Sequence, residues 1–345
     1  MKKHLIFSLL LFVAFAGRSQ SGRDEPYMTK SLANESIKEV DAWTQGGSIS
    51  VSGGNVTDAR IEVYITSNGR ENSLSKDEIK KRLSDDYELS ITVSGGKLTA
   101  VSKAKERNMN WKRWLNISFK IFVPQNVSTD LSTSGGSISL SNLSGTQDFR
   151  TSGGSLTVEK VTGKITGGTS GGSIDVSDSK EDIDLHTSGG SIKAENCTGK
   201  IKLNTSGGSL RLRDLNGIVR ATTSGGSVDG RNIIGELAAH TSGGNVDLHE
   251  MSCSLDASTS GGNISVDIKE LREYITINNS SGHVDLELPK NKGLDLRLNA
   301  EKIKTDPLTN FSGSVEENKL HGKLNGGGVP VTVDAGSGRI NLTFK

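Results

Sequence analysis

The chain has 345 residues, of which 42 are glycine and 5 proline. Glycine at roughly 12% exceeds the usual 7% or so, yet falls far short of the one third that collagen requires. Lys plus Arg is 41 against 40 for Asp plus Glu, so a net charge of +1 offers no global field for nucleic acid or an anionic membrane. Hydrophobic residues make up 32% and aromatics 4%, and Trp43, Trp111 and Trp114 all precede residue 115. The remainder must pack around a thin, aliphatic interior.

In chain order, Lys2, Lys3 and His4 form a basic start, Leu5 to Ala16 an apolar run, and Ala14-Phe15-Ala16 a small-residue cleavage site. This pattern reads as a secretory signal over residues 1–20, shorter than the about 18 apolar residues that a membrane span needs. No other stretch is long enough to cross a bilayer, so the expected destination is the periplasm, the cell surface or the exterior. Cys197 and Cys253 are too few for a disulfide framework.

Residues 21–130 read as a β-rich capping region. Ile37, Val40, Ile49, Val51, Val56, Ile61, Val63 and Ile65, with turns at Gly46-Gly47 and Gly53-Gly54, look like degenerate rungs of the repeat that follows. Ser75 as N-cap, Asp77 and Glu78 in a first turn, and Ile79 and Leu83 on one face predict a short helix near residues 75–86. Strand patterns resume at Leu89 to Val101 and Leu115 to Val123, either side of a basic loop from Lys103 to Arg113.

Residues 131–288 carry the dominant signal. Thr-Ser-Gly-Gly followed by Ser or Asn begins at Thr133, Thr151, Thr169, Thr187, Thr205, Thr223, Thr241 and Thr259, a constant offset of eighteen. Three residues after the first glycine stand Ile138, Leu156, Ile174, Ile192, Leu210, Val228, Val246 and Ile264. Two residues later the apolar column repeats, with Gly230 as its lapse. A second apolar pair follows nine positions on, as in Ile201 and Leu203, so each unit is two half-buried strands with a corner before each. The glycine pairs Gly135/Gly136, Gly153/Gly154, Gly171/Gly172, Gly189/Gly190, Gly207/Gly208, Gly225/Gly226, Gly243/Gly244 and Gly261/Gly262 are the structural corners. Glycine is expected there because it reaches the positive φ that tight corners often require. The threonine before each pair has the parity of an inward hydroxyl ladder.

The architecture this implies is all-β: a single chain wound as a parallel β-solenoid (β-helix) with 18-residue rungs, right-handed and flattened, with one short helix in its N-terminal third. Residues 289–345 complete it as C-terminal rungs and cap. A calcium-binding nonapeptide roll would need glycine and aspartate where Ile174 and Val176 stand. The hexapeptide helix would need apolar residues where Thr162, Lys180 and Asn204 stand.

The stretch Ile117-Ser-Phe-Lys-Ile-Phe-Val-Pro-Gln-Asn-Val, running into Asp130-Leu-Ser-Thr-Ser-Gly-Gly-Ser-Ile, resembles the hallmark of the DUF4097 family of adhesin-type proteins. The ending Asn325-Gly-Gly-Gly-Val-Pro-Val-Thr-Val-Asp-Ala-Gly-Ser-Gly-Arg-Ile is similar to that family's close. The resemblance implies a β-solenoid envelope protein, and it brings no catalytic, cofactor or metal residues.

Charge falls in belts. Asp175, Asp178, Glu181, Asp182 and Asp184 make one rung acidic, while Lys193, Lys200, Lys202, Arg211, Arg213 and Arg220 make the next two basic. Neighbouring-rung pairs such as Asp175 with Lys193 and Asp184 with Lys202 are the ordinary outcome. The sharper reading is an anion site for a cell-surface glycan, lipopolysaccharide or another envelope protein. A glycan-processing hydrolase would need paired carboxylates, yet Asp175 and Asp184 fall on opposite faces. His186 and His240, three rungs apart at about 14 Å, are too distant for one metal. The serines of the repeat have no recurring histidine partner. The expected function is therefore an exported, non-catalytic adhesin or envelope scaffold without cofactor. A glycan-processing enzyme is the first alternative and a self-assembling structural protein the second.

Overall fold

In the computed structural model the described residues are 25–67, 74–106 and 113–345; the segment expected to be a signal peptide and part of the basic loop lie outside them. The repeat folds as successive rungs of one short and one long strand. In one rung these are Ile192–Glu195 and Thr198–Thr205. Both pair in parallel with strands of the rung before: Ile174 opposite Ile192 on one ladder, Lys180 opposite Thr198 on the other. The offset of eighteen predicted from the repeat is thus the register of the sheet. Ile192, Ala194, Cys197, Ile201 and Leu203 turn inward and are buried, giving a core layer of five small side chains. From Leu210 onward the two halves run as a single strand, Leu210–Thr223, bent at Asp214, whose φ is 53°.

The TSGG corner joins the rungs. Thr187 is buried; its hydroxyl donates to the Gly172 carbonyl of the preceding rung at 2.8 Å and accepts from the Gly190 N–H of its own corner at 3.3 Å. The hydroxyl ladder therefore exists, and the long strand extends through its threonine. The donation recurs at Thr133, Thr151, Thr169, Thr205, Thr223, Thr241 and Thr259. At the next corner Asn279 substitutes, donating to Gly262 O and accepting from Gly282 N–H. Outside the corner a second ladder runs along the surface: Ser209 N–H donates to Ser191 Oγ, Ser227 N–H to Ser209 Oγ and Asn245 N–H to Ser227 Oγ.

The corner glycines are needed for a different reason from the one expected. None of Gly135/Gly136, Gly153/Gly154, Gly171/Gly172, Gly189/Gly190, Gly207/Gly208, Gly225/Gly226, Gly243/Gly244 or Gly261/Gly262 takes a positive φ. Positive φ belongs to the other corner of each rung, at Asn142, Lys160, Asp178, Asn196, Asp214 and Asn232, and at Gly145, Gly163, Gly199, Gly217 and Gly235. What the TSGG corner demands is the absence of a side chain, and only at its second glycine. A Cβ on Gly136, Gly154, Gly172, Gly190, Gly208 or Gly262 would sit 2.0 Å from the carbonyl oxygen of the corner beneath, and one on Gly226 or Gly244 2.1 Å. On the first glycine of any pair it meets nothing closer than 3.5 Å.

Irregular core positions compensate one another between rungs. A side chain at Gly230, the lapse in the apolar column, would lie 2.7 Å from Leu248 Cδ2, which fills that space from the next rung. Likewise the Phe149 ring occupies the room that a Gly167 side chain would take. Buried Gln147, standing in an apolar column, donates to Val127 O and accepts from Thr129 Oγ1, so it carries no unmet polar demand.

The flanks depart from simple rungs. Strands Glu39–Thr44 and Ile49–Gly54 do make a rung, but one stacked on a distant part of the chain, with Val40 opposite Thr129 and Ile49 opposite Ile138. Arg60–Ser67, expected to continue as a degenerate rung, instead runs antiparallel to Leu115–Pro124. A 3-10 turn at Val56–Asp58 reverses the chain there and leaves Val56 on the surface. The helix Lys76–Asp86, capped by Ser75 Oγ accepting from Glu78 N–H, leads into strand Tyr87–Ser94. At the other end the register lengthens by two positions, Ile264 opposite Val284, and then jumps so that Val284 lies opposite Ile340. The segment skipped in that jump builds the terminal hairpin Phe311–Val315 with Lys319–Leu324.

Because the two glycines of a corner differ so sharply in their surroundings, their substitutions should differ too. Gly190→Ala is expected to destabilise the protein by roughly 3 kcal/mol or more, and Gly189→Ala by less than about 1 kcal/mol. Thermal or urea denaturation of the two variants measures the contrast.

Candidate functional site

The six basic residues separate into two trios. Lys193, Arg211 and Arg213 lie on the short-strand ladder, where Lys193 is register neighbour to Arg211. Lys200, Lys202 and Arg220 lie on the long-strand ladder, with Lys202 beside Arg220. The two ladders enclose the core between them, so the trios face away from each other. The first trio is consumed by local acids. Lys193 Nζ reaches Glu195 at 2.7 Å rather than Asp175, and Arg213 makes two hydrogen bonds to Asp229 at 2.9 and 2.6 Å, with Arg211 4.0 Å away. In the second trio Lys202 pairs with Asp184 at 3.0 Å, as the register requires. Among the described residues no carboxylate lies within ion-pair distance of Lys200 or Arg220, and both are exposed.

The acidic rung does not converge. Asp175 stands on the short ladder, Asp182 and Asp184 on the long one, and Asp178 and Glu181 at the edge between them. Glu181 stands in the column of Gly145, Gly163, Gly199, Gly217, Gly235 and Cys253, and it shares the positive φ of the glycines, at 86°. Neither of the two following cavities is lined by a residue of either belt. One of about 570 Å³ at the C-terminal cap is lined by Lys290, Asp306, Pro307, Leu308, Leu324 and Phe344. A shallower one of about 450 Å³ is lined by His249, Asp267, Asp285 and Glu287 among others.

One polar contact escapes the sequence reading. His240 Nδ1 lies 2.7 Å from Ser258 Oγ, and His240 Nε2 lies 3.8 Å from Asp256. The repeat register contains the signal, since 240 and 258 are neighbours in adjacent rungs. Nucleophilic chemistry also needs donors aimed at a developing oxyanion. The ladder around this site spends backbone N–H groups between rungs, Thr241 N–H on Ser258 O among them. His186 packs over Gly168, whose Cβ would lie 2.3 Å from the imidazole. Both cysteines are buried and unbridged, and burial pushes the Cys253 thiol up to about 12. No cluster of three or more His, Cys, Asp or Glu side chains suited to a metal occurs among the described residues.

Two outcomes follow for these charges. Glu181→Gly is expected to stabilise the protein by up to about 1 kcal/mol, because it relieves a side chain held at positive φ. A melting temperature at or below that of the parent would contradict this. The Arg213 hydrogen bonds, with Arg211 nearby, hold the Asp229 carboxyl below the usual carboxylate range. A depressed folded-state pKa adds stability above the unfolded value and loses it as pH falls through the folded one. Asp229→Asn should therefore cost at most about 1 kcal/mol at neutral pH, given a half-exposed pair, and nothing at about pH 2. Urea titrations at the two pH values test it.

Residues 178–343 match the family model described as Toastrack DUF4097. Among solved structures, a putative cell adhesion protein from Clostridium sporogenes aligns at 13% identity over 92% of this chain and 98% of its own, with a TM-score of 0.18. A putative adhesin from Bacteroides fragilis aligns at 13% identity over 91% of this chain and 96% of its own, with a TM-score of 0.25. No curated protein matches. The rung register that runs through the matched segment continues without a break back to Thr133. Residues 178–343, with their stacked rungs and TSGG corners, thus form a DUF4097 (Toastrack) segment of the chain.

Proposed function

We propose that this protein is an exported, non-catalytic β-solenoid that serves as an adhesion or scaffold surface of the bacterial envelope. The observation that carries the reading is how its outward chemistry is laid out. Each outer face consists of columns of single side chains one strand apart, and charges along them pair locally, as Lys193 with Glu195, Lys202 with Asp184 and Arg213 with Asp229, or stand alone, as Lys200 and Arg220 do among the described residues. Such a face suits an extended partner that makes many similar contacts. Export is supported by the residue pattern of the first 20 positions, and no helix of the described residues is long and apolar enough to cross a membrane.

Within this reading the anion-binding face is the one bearing Lys200, Lys202 and Arg220. Lys200 and Lys202 point the same way from one strand, and Arg220 stands one strand further, about 4.8 Å on. A repeating anionic polymer, such as a cell-surface glycan or lipopolysaccharide, matches that spacing; an acidic patch on another envelope protein is the alternative partner. Reversing these three charges to Glu is expected to weaken binding to purified lipopolysaccharide or anionic polysaccharide by about tenfold or more and to flatten its salt dependence. Reversing Lys193, Arg211 and Arg213 should have a smaller effect. Equal binding by all three proteins, or release of reducing ends from the polysaccharide, would overturn the proposal.

A further inference from the structure

Among the described residues, the N-terminal end of the stack leaves one long strand edge unpaired. Among the described residues, Tyr87–Ser94 pairs antiparallel with Lys97–Ala104 and with no second strand. The two strands are joined by Gly95 and Gly96, both at positive φ, so Ser94 opposite Lys97 is the hydrogen-bonded closing pair of a two-residue hairpin. Bonding alternates along an antiparallel ladder, so Ser94, Thr92, Ser90 and Glu88 face the hairpin partner. Leu89, Ile91 and Val93 then direct their N–H and C=O groups outward. Among the described residues, the one hydrogen bond reaching these outward groups comes from Lys30 Nζ to Ile91 O at 3.2 Å, which fits this assignment.

Natural edges are normally blunted by proline, charge, a bulge, shortness or a covering loop. Residues 87–94 contain neither proline nor glycine, keep an uninterrupted register, and carry a single charge at Glu88. Other ends of the stack are protected. Met28–Ser31 is a short strand, Phe311–Val315 is interrupted by Gly313 and followed by two glutamates, and Ile303 in Lys302–Thr305 donates its N–H to Glu317 O.

We propose that Tyr87–Ser94 is a self-pairing edge, and that two copies of this chain join antiparallel through it about a two-fold axis at Ile91. The strand is complementary to itself in that register. Ile91 meets Ile91, Leu89 meets Val93, Ser90 meets Thr92, and Glu88 meets Ser94. Apolar side chains thus meet on the core side, where Leu89, Ile91 and Val93 are only half-buried in the single chain, and hydroxyls meet on the exposed side. The two Glu88 carboxylates end up about 20 Å apart, and each lies opposite a serine whose other neighbour is Lys97. The outward groups at 89, 91 and 93 become paired, and Lys30 is displaced from Ile91 O. Such a contact is isologous and closes at two subunits. It does not depend on the adhesion reading.

The test is the mass of the purified chain in solution, by light scattering or sedimentation equilibrium. A dimer is expected. Ile91→Pro removes an outward N–H that the hairpin does not use, and is expected to give a monomer with an unchanged far-UV spectrum. Lys30→Met removes the competing donor and should tighten the dimer by about fivefold. The register is read separately by oxidation. Ile91→Cys should form an interchain disulfide and Thr92→Cys should not, while Cys197 and Cys253 remain buried. A monomer at about 100 μM, a dimer insensitive to Ile91→Pro, or crosslinking that favours Thr92→Cys would each overturn the proposal. So would an edge that binds a strand-forming peptide from another protein while the chain itself stays monomeric.

Discussion

Every rung depends on one close approach: the second glycine of a TSGG corner lies against the carbonyl of the corner beneath it, with a threonine hydroxyl bridging the two. The hydroxyl donates across the rung boundary and accepts within its own corner. It can do so because the upper glycine has no side chain to hold the layers apart. Removing either partner leaves a buried carbonyl or N–H without its bond, a loss larger than that of an exposed ion pair. Here the stacking distance is set at the corners, and the aliphatic columns fill the space that the corners define.

That dependence explains which parts of the fold were legible in sequence. Residues one repeat apart are direct neighbours, so Lys202 beside Asp184 could be read without coordinates, as could the inward columns at Ile192 and Ala194. The glycine pairs were legible as corners but not as two unlike positions, since spacing does not tell a backbone angle from a steric contact. Gly136 and Gly154 serve by letting carbonyls approach, while the positive φ falls at Asn142 and Gly145 across the rung. The same arithmetic fails once the chain leaves the stack. A period of two marks Ile61 and Val63 as one buried face but carries no strand direction, and Arg60–Ser67 turned back instead of climbing. Nor does periodicity show that Val40 meets Thr129 or that Val284 meets Ile340. Lys193 marks another limit. Asp175 is its register neighbour, yet its amino group settles on Glu195 of its own strand, a choice among rotamers that spacing does not encode. The contact of His240 with Ser258 is written in the register, but away from the TSGG motif that draws the eye to serine.

The charge pattern has a common physical origin. In a parallel stack a side chain meets those one rung above and below it, so a net patch survives only where those neighbours fail to compensate. Asp229 takes up Arg213 and Arg211 together, while Lys200 lies between Asp182 and Ile218 on its neighbouring strands. Surface character is decided column by column, and the two faces differ although their sequences of charges are nearly the same.

The constant rung offset also bears on how such a chain can change length. Each interior rung touches only its two neighbours, and every corner between Thr151 and Thr259 offers the same hydroxyl and the same bare glycine to the next. Loss or duplication of one repeat unit would leave both ladders in phase and shorten or lengthen the coil by about 4.8 Å. It would re-pair the outer columns: deletion of 192–209 sets Asp175 against Arg211 and Asp184 against Arg220. Copy number is thus a variable that resets which charges meet while the corner chemistry stays constant.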